Sequence, residues 1–383
     1  MELDQLNKAE ENLRSVLELQ PLHANAKNNL ALVYQRQGRL FEAEKLLRQL
    51  VQDDPWNIDI NINLTGILLQ QGRPNEGAAL LYPALKRHPH SPIGWSSLAS
   101  CLLDIGDLEA SMASFFRAHQ QDPRNVDPLF HLHGLVHDLR SPELALEILE
   151  KALFLSPEDM RLHFYRYIVR DWYGFPSTTF QSSGIPDSWI SSLDYIREHR
   201  MKDTRLFYSV AQSLEYAVQS AVNSGSILEF GVRYGTSIKM LERFSGQKIE
   251  GFDSFQGLPT EWHTVPQGAY STNGVIPDLG DNITLHAGWF SDTLKPFVAQ
   301  NPEPIRLLHI DCDLYSSTIE VLTTLEKFLV PNSVVVFDEY IMNPKWQEDE
   351  YRAWIEFIEE RNIRYEYLAF SPKTFQAVLR ILA

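Results

Sequence analysis

Prolines stand at Pro21, Pro55, Pro89, Pro123 and Pro157, a constant step of 34 residues. A spacing held without insertion over so long a stretch marks a stacked repeat, because only a fixed structural unit keeps its phase. Other positions keep it too. Large apolar residues recur at Leu30, Leu64, Leu98 and Leu132, and again at Leu47, Leu81, Phe115 and Leu149. Small residues recur at Ala9, Ala43, Gly77, Ser111 and Ala145, and Gly38, Gly72 and Gly106 fall between the two sets. The pattern predicts a pair of antiparallel helices per repeat. The small residue lets the second helix approach the first, and the large ones fill the seam. The glycine turns the chain between helices, and the proline, having no N–H to donate, stops the second helix.

Four full pairs start near residues 24, 58, 92 and 126, preceded by a partial one whose second helix carries Ala9, Leu13 and Val16. The chain is therefore expected to begin inside a longer or trimmed array. This half resembles the tetratricopeptide repeat, with Trp95, Leu98, Ala99, Leu102, Phe115, Ala118 and Pro123 at the signature positions. The resemblance implies a concave face with binding positions at Asn28, Gln35, Arg36, Ile62, Leu69, Ser96, Leu103, Asp104, Phe130, His137 and Asp138. Arg36 is the one basic residue among them, which speaks against a clamp for a peptide carboxylate. A protein partner, homo-oligomerisation and a mere holding role are the readings left open. His131, His133 and His137 share a helix and suit a core or solvated role better than a metal site. The run 159–175 reads as an aromatic closing helix, 174–188 as a Ser-, Pro- and Gly-rich linker, and 204–220 as a helix leading onward. The expected domains are helical repeats over 1–173, a linker over 174–200 and a second domain over 201–383.

A net charge of −16 argues against nucleic acid, whose phosphates need a basic surface, and against an anionic membrane. Two cysteines, Cys101 and Cys312, lie far apart and fit a reducing compartment rather than a disulfide framework. The N-terminus lacks the basic start and apolar run of a signal peptide, and no stretch approaches a membrane span, so a cytoplasmic location is expected.

From Ser226 the pattern changes to strand, loop, helix. SILEFG, KIEGFDSF, IRLLHIDCD, SVVVFDEY and the pair RYEYLAF/FQAVLRIL read as strands, with STIEVLTTLEKFL and EYRAWIEFIEER as helices between them. Such alternation predicts a mainly parallel sheet covered on both faces, ending in an antiparallel hairpin at the sheet edge. Ligands of such sheets bind beyond the carboxyl ends of the strands. The first end reads Glu229-Phe230-Gly231-Val232-Arg233-Tyr234-Gly235 and is not a G-x-G-x-x-G loop. A carboxylate there would repel a pyrophosphate but suits S-adenosylmethionine, which carries an ammonium and a sulfonium and no phosphate; an ordinary glycine turn is the alternative. Asp253 ends the next strand, 22 residues after Gly231, where an acid can accept ribose hydroxyls or simply cap a turn. Asp311, Asp338 and Glu339 close two further strands. Three carboxylates in one crevice call for a hard divalent cation such as Mg²⁺, which would activate a substrate hydroxyl, or are tied to Arg or Lys.

The ordered set ILEFGVRYGTS, GFDSFQGLP with Trp262, HAGWFSDTL, HIDCDLYSST and VVVFDEY resembles the macrocin O-methyltransferase family over about residues 205–383. The resemblance implies an α/β Rossmann-like class I methyltransferase fold behind the all-α solenoid. It also implies S-adenosylmethionine as donor, a divalent metal and O-methylation of a sugar hydroxyl on a larger molecule. It assigns the methionine part of the donor to Glu229, Gly231, Gly235 and Ser237, the ribose to Asp253 and the adenine to Gly288 and Trp289. Metal binding falls to Asp311, Asp338 and Glu339, with Asp311 also as general base. Cys312 replaces a usual glycine, Asp338-Glu339 a usual Asp-Asp pair, and Leu314 and Tyr315 follow where some relatives have a histidine. His263 and His286 are alternative bases. Trp262, His263 and Tyr270, in the loop between Pro259 and Asp281, are expected to stack on an acceptor sugar or to lie on a plain surface loop. Two other functions remain open: a repeat-based scaffold with an inactive enzyme fold, and methylation of a protein recruited by the repeats.

Overall fold

The computed structural model of the protein describes residues 2–176, 183–222, 224–301 and 303–382. The chain divides into two compact units, Met1–Leu129 and Phe130–Ala383.

The first unit is helical throughout: α1 (Glu2–Leu19), α2 (Ala24–Arg36), α3 (Leu40–Asp53), α4 (Ile58–Gln70), α5 (Pro74–Arg87), α6 (Pro92–Ile105) and α7 (Leu108–Gln121), with α8 (Asp127–Leu139) following. Helices α1, α3, α5 and α7 stop just short of Pro21, Pro55, Pro89 and Pro123, as a residue without an N–H dictates. Gly38, Gly72 and Gly106 turn the chain with φ of 76°, 75° and 78°. Gly77 shows why the small position must be small: a Cβ there would stand 2.9 Å from both Cys101 Sγ and Thr65 Cγ2. Leu47, Leu64, Leu81 and Phe115 fill the seams and are buried. A polar ladder keeps the same phase, with Arg39 on Glu10 at 3.0 Å and Arg73 on Glu44 at 2.8 Å.

The second unit begins with the body of α8, then α9 (Pro142–Leu155) and α10 (Met160–Tyr173), the aromatic helix expected to close the array. Two residues expected on the concave face, His137 and Asp138, have buried side chains instead, and a third, Phe130, is partly covered. Asp138 has no exposed side-chain surface and accepts hydrogen bonds from the Tyr208 and Ser209 backbone and hydroxyl, at 3.0 and 2.8 Å. His137 lies between Asp138 and the Tyr173 hydroxyl, and Phe130 lies under the Lys373 ammonium. Within 174–200, expected as a linker, Asp187–His199 forms α11, which buries Leu193 and Ile196; residues 177–182 of that stretch lie outside the described residues.

The remaining elements are β1 (Arg205–Leu206), α12 (Val210–Ser220), β2 (Ser226–Phe230), α13 (Thr236–Ser245), β3 (Ile249–Asp253), β4 (Ile283–Ala287), α14 (Phe290–Gln300), β5 (Ile305–Ile310), α15 (Tyr315–Leu325), β6 (Val334–Phe337), α16 (Glu350–Arg361), β7 (Tyr365–Ser371) and β8 (Gln376–Ile381). One sheet runs β1-β7-β8-β6-β5-β2-β3-β4. All pairings are parallel except those of β8, which is antiparallel to β6 and to β7. The expected hairpin is present but is not the edge, because β1 pairs along the far side of β7. Strand order reverses between β2 and β5, which opens a crevice beyond their carboxyl ends. The central strands carry unbroken apolar runs, such as Val334–Phe337, because helices cover both faces.

Candidate active site

A cavity of about 520 Å³ lies beyond the ends of β2 to β6 and draws residues from each. Gly231 follows β2, Asp253 ends β3, Gly288 and Trp289 follow β4, Asp311 and Asp313 follow β5, and Glu339 follows β6; all line it. Six positions expected for the donor, the base or the metal thus meet at one place: Gly231, Asp253, Gly288, Trp289, Asp311 and Glu339.

Asp253 ties together the loops at one end of the cavity. Its Oδ2 accepts from the Arg233 backbone N–H at 2.7 Å and its Oδ1 from that of Phe255 at 2.6 Å. Its carbonyl takes the Gly288 N–H at 2.9 Å. One residue thereby joins the loops after β2, β3 and β4. Trp289 leaves a large part of its indole exposed at the cavity wall, which suits a flat heterocycle.

The cavity is also lined by the acids Asp311, Asp313 and Glu339. Burial, followed by the charge of Asp338, raises Asp311 well above the usual carboxylate range. Burial, then repulsion from Asp338 and Asp349, pushes Asp313 up to about 7. Burial, then Asp338 and Asp313, pushes Glu339 up to about 10. Carboxyls whose ionisation is suppressed in this way gain from an incoming cation. Arg233 also lines the cavity, its guanidinium 5.3 Å from the Tyr270 ring centroid, and burial lowers its pKa.

Four expected site residues do not line the cavity: Glu229, Gly235, Ser237 and Asp338. Glu229 is fully buried, with Oε1 accepting from Ser237 Oγ at 3.0 Å and Oε2 2.9 Å from His309 Nδ1. Gly235 is required for a local reason, since a Cβ would meet Leu279 Cδ1 at 2.5 Å. Asp338 Oδ1 is engaged by Gln376 Nε2 at 2.5 Å and His309 Nε2 at 3.3 Å. Burial opposes charge on His309, but the hydrogen bonds of Asp338 and Glu229 outweigh it and hold its pKa well above the ordinary value. Asp311, Asp338 and Glu339 therefore do not converge as a metal triad. Among the described residues, no group of three or more His, Cys, Asp or Glu is placed to hold a metal ion.

The alternative bases are also elsewhere. His286 pairs with Glu250 at 2.8 Å and His263 lies 2.7 Å from Asp349 Oδ2; neither lines the cavity. Trp262 is buried against Leu258 and Leu314 and donates Nε1–H to Asp349 at 2.9 Å, so it is not the sugar platform expected. Of that loop's three candidates Tyr270 alone reaches the cavity wall. Sequence reasoning passed over Asp313, His309 and Arg233 as site residues. Asp313 was legible in principle, standing two residues after Asp311 in HIDCD.

Strand order and a cavity at the sheet's switch point fit a methyltransferase domain of the Rossmann-like class, preceded by tetratricopeptide repeats. A methyltransferase-domain family matches residues 228–340, and tetratricopeptide-repeat families match residues 1–57 and 37–101. The chain is 33% identical to the demethyldecarbamoylnovobiocin O-methyltransferase of Streptomyces niveus, over 42% of this chain and 71% of that protein. It is 30% identical to the 8-demethyl-8-(2,3-dimethoxy-alpha-L-rhamnosyl)-tetracenomycin-C 4'-O-methyltransferase of Streptomyces olivaceus, over 34% of this chain and 60% of that protein. Among solved structures, CalS11, a calicheamicin methyltransferase, is 25% identical and matches 59% of this chain and 93% of that one, with a TM-score of 0.38. The chain belongs to the O-methyltransferase family of the macrocin and novobiocin type, a family that implies S-adenosylmethionine as methyl donor. No helix among the described residues is long and apolar enough to cross a membrane.

Proposed function

We propose that the protein transfers a methyl group from S-adenosylmethionine to a hydroxyl of a sugar or a glycosylated metabolite. The observation that carries this reading is one cavity lined by Asp253, by the turns at Gly231 and Gly288, and by the acid Asp313. Gly231 and Asp253 would hold the amino-acid and ribose parts of the donor, and Gly288 and Trp289 its adenine. The acidic wall favours the donor's positive charge.

Asp313 is the general base in this reading, because a base works best with a pKa near the working pH. It takes the acceptor's hydroxyl proton as the oxygen attacks the methyl carbon in line. The O–C bond forms, the S–C bond breaks, and its electron pair stays on sulfur, which leaves as the neutral thioether. Asp311, whose pKa burial raises well above the usual carboxylate range, is taken as its neighbour rather than as the base. Asp311 and Glu339 are oxygen ligands of the kind Mg²⁺ prefers, but with Asp338 turned toward His309 and Gln376 no step is drawn through a metal. The Streptomyces relatives, one of them named for a rhamnosyl compound, support a glycosylated acceptor. Tyr270 offers a ring for such a sugar. The repeats are assigned to a protein partner or to oligomerisation, and the location to the cytoplasm.

The test is a label experiment with the full chain. Methyl-labelled S-adenosylmethionine is incubated with a cell extract, and label is counted in small-molecule and protein fractions. Label in glycosylated small molecules supports the proposal, and label in protein would favour a recruited protein acceptor. Calorimetry that detects no donor binding to the folded chain would sink both.

A further inference from the structure

Six side chains form an unbroken hydrogen-bonded chain under the cavity. Thr374 Oγ1 donates to Gln376 Oε1 at 3.0 Å, and Gln376 Nε2 donates to Asp338 Oδ1 at 2.5 Å. Asp338 Oδ1 also takes His309 Nε2 at 3.3 Å. His309 Nδ1 reaches Glu229 Oε2 at 2.9 Å, and Ser237 Oγ donates to Glu229 Oε1 at 3.0 Å. The chain crosses β8, β6, β5 and β2 and ends on the first turn of α13.

None of these six lines the cavity. Stability is a poor reason for them. A buried charged network is often matched or bettered by apolar residues of the same volume. What apolar side chains cannot do is fix the direction of a carboxylate. His309 and Glu229 expose no side-chain surface, and they stand opposite each other in the β2–β5 register. Both carboxylates of the network adjoin residues that line the cavity. Gly231 is two residues beyond Glu229, and Glu339 immediately follows Asp338.

We propose that His309 is a positioning residue that aligns the two walls of the cavity. Through Glu229 and Ser237 it holds the donor loop against α13. Through Asp338 it holds the acidic segment after β6. This rests on the methyltransferase reading above.

Two isosteric substitutions separate the arms, because the amide nitrogen of Asn stands where Nδ1 of His does and that of Gln where Nε2 does. His309→Asn keeps the Glu229 contact, so donor affinity in calorimetry with S-adenosylmethionine stays within about twofold while the rate of label transfer into the small-molecule fraction falls roughly tenfold or more. His309→Gln keeps the Asp338 contact and weakens donor binding roughly tenfold. Ser237→Ala, a smaller change at the far end, weakens donor binding roughly fivefold and keeps the test decisive if neither His309 variant folds.

If wild type binds the donor but the Asn and Gln variants lose affinity and rate alike, in step with a lowered Tm, His309 is only structural and the proposal is overturned. Variants indistinguishable from wild type overturn it too, as does a Ser237→Ala variant of unchanged affinity. If wild type itself does not bind the donor, it is the underlying methyltransferase reading that fails.

Discussion

Gly231 lies directly on the backbone of Asp311: a Cβ on Gly231 would stand 1.7 Å from the Asp311 carbonyl oxygen. The loop after β2 and the acid-bearing loop after β5 are therefore one packed object. Gly231 also has φ of 94°, where L side chains are strained. Gly231→Ala must separate the two loops or distort both. It is expected to cost at least about 1–3 kcal/mol of folding free energy, measured by denaturant unfolding, and to remove detectable donor binding. An alanine variant with wild-type stability and affinity would contradict the arrangement.

Asp253 accepts two backbone N–H groups and still faces the cavity. Asp253→Asn substitutes an amide N–H₂ for one accepting oxygen, which sets a donor against a donor. Donor affinity is expected to fall by about 1.5–3 kcal/mol, the range for a hydrogen bond to a charged group, in calorimetry. Unchanged affinity would remove Asp253 from the donor site.

Asp313→Asn removes the proposed base without disturbing the donor wall. Turnover is expected to fall roughly 10²–10⁴-fold with donor affinity nearly unchanged. The base must be ionised to act. With burial raising its pKa to about 7, kcat/KM of the wild type should climb with pH and level off above that value. A flat profile from pH 5.5 to 8.5, or an active Asn variant, would move the role to another residue.

Lys373, at the turn between β7 and β8, stands 5.2 Å from the Phe130 ring centroid, and burial lowers its pKa from 10.5 to about 8. A lowered lysine pKa means that the unfolded chain holds the proton more tightly than the folded one. Below about 8 the folded state carries the full penalty of a desolvated ammonium, and stability rises as pH climbs from about 8 toward 10.5. The side chain is only partly buried by surface area, so the penalty is discounted to about 1–2 kcal/mol. Lys373→Met should raise the Tm at pH 7 and shrink the gain at high pH. A Tm lowered at pH 7 would show that the ammonium is held favourably after all.

The repeats were readable because their reasons are local. A proline stops a helix, a glycine turns it, and a small residue permits close approach, whatever surrounds them. The long apolar strands were readable for the same kind of reason. Strand β4 was missed because Ile283–Ala287, at the edge of the sheet, buries one residue fully and carries no apolar run. Helix α11 was masked by the Ser- and Pro-rich stretch before it, although Leu193 and Ile196 keep a helical spacing. At the site, strand ends could be located but not the direction of side chains. Asp338 and Glu339 are neighbours in sequence, yet one turns to His309 and the other to the cavity. Trp262, expected to stack on a sugar or to lie on a surface loop, is buried with Asp349, 87 residues away, as its acceptor. No local pattern announces a partner at that distance.

Strand β1 has only two residues, yet it alters how this chain can be cut. Arg205 and Leu206 pair with Ala369 and Phe370, and Phe207 adds its N–H to the Phe370 carbonyl at 3.0 Å. A fragment starting beyond Phe207 would leave that rim of β7 as a row of unsatisfied peptide groups, a template for edge-to-edge aggregation. Those few residues act as a guard rail for the catalytic sheet. They belong in any shortened version of the enzyme, even though they contribute nothing to its chemistry.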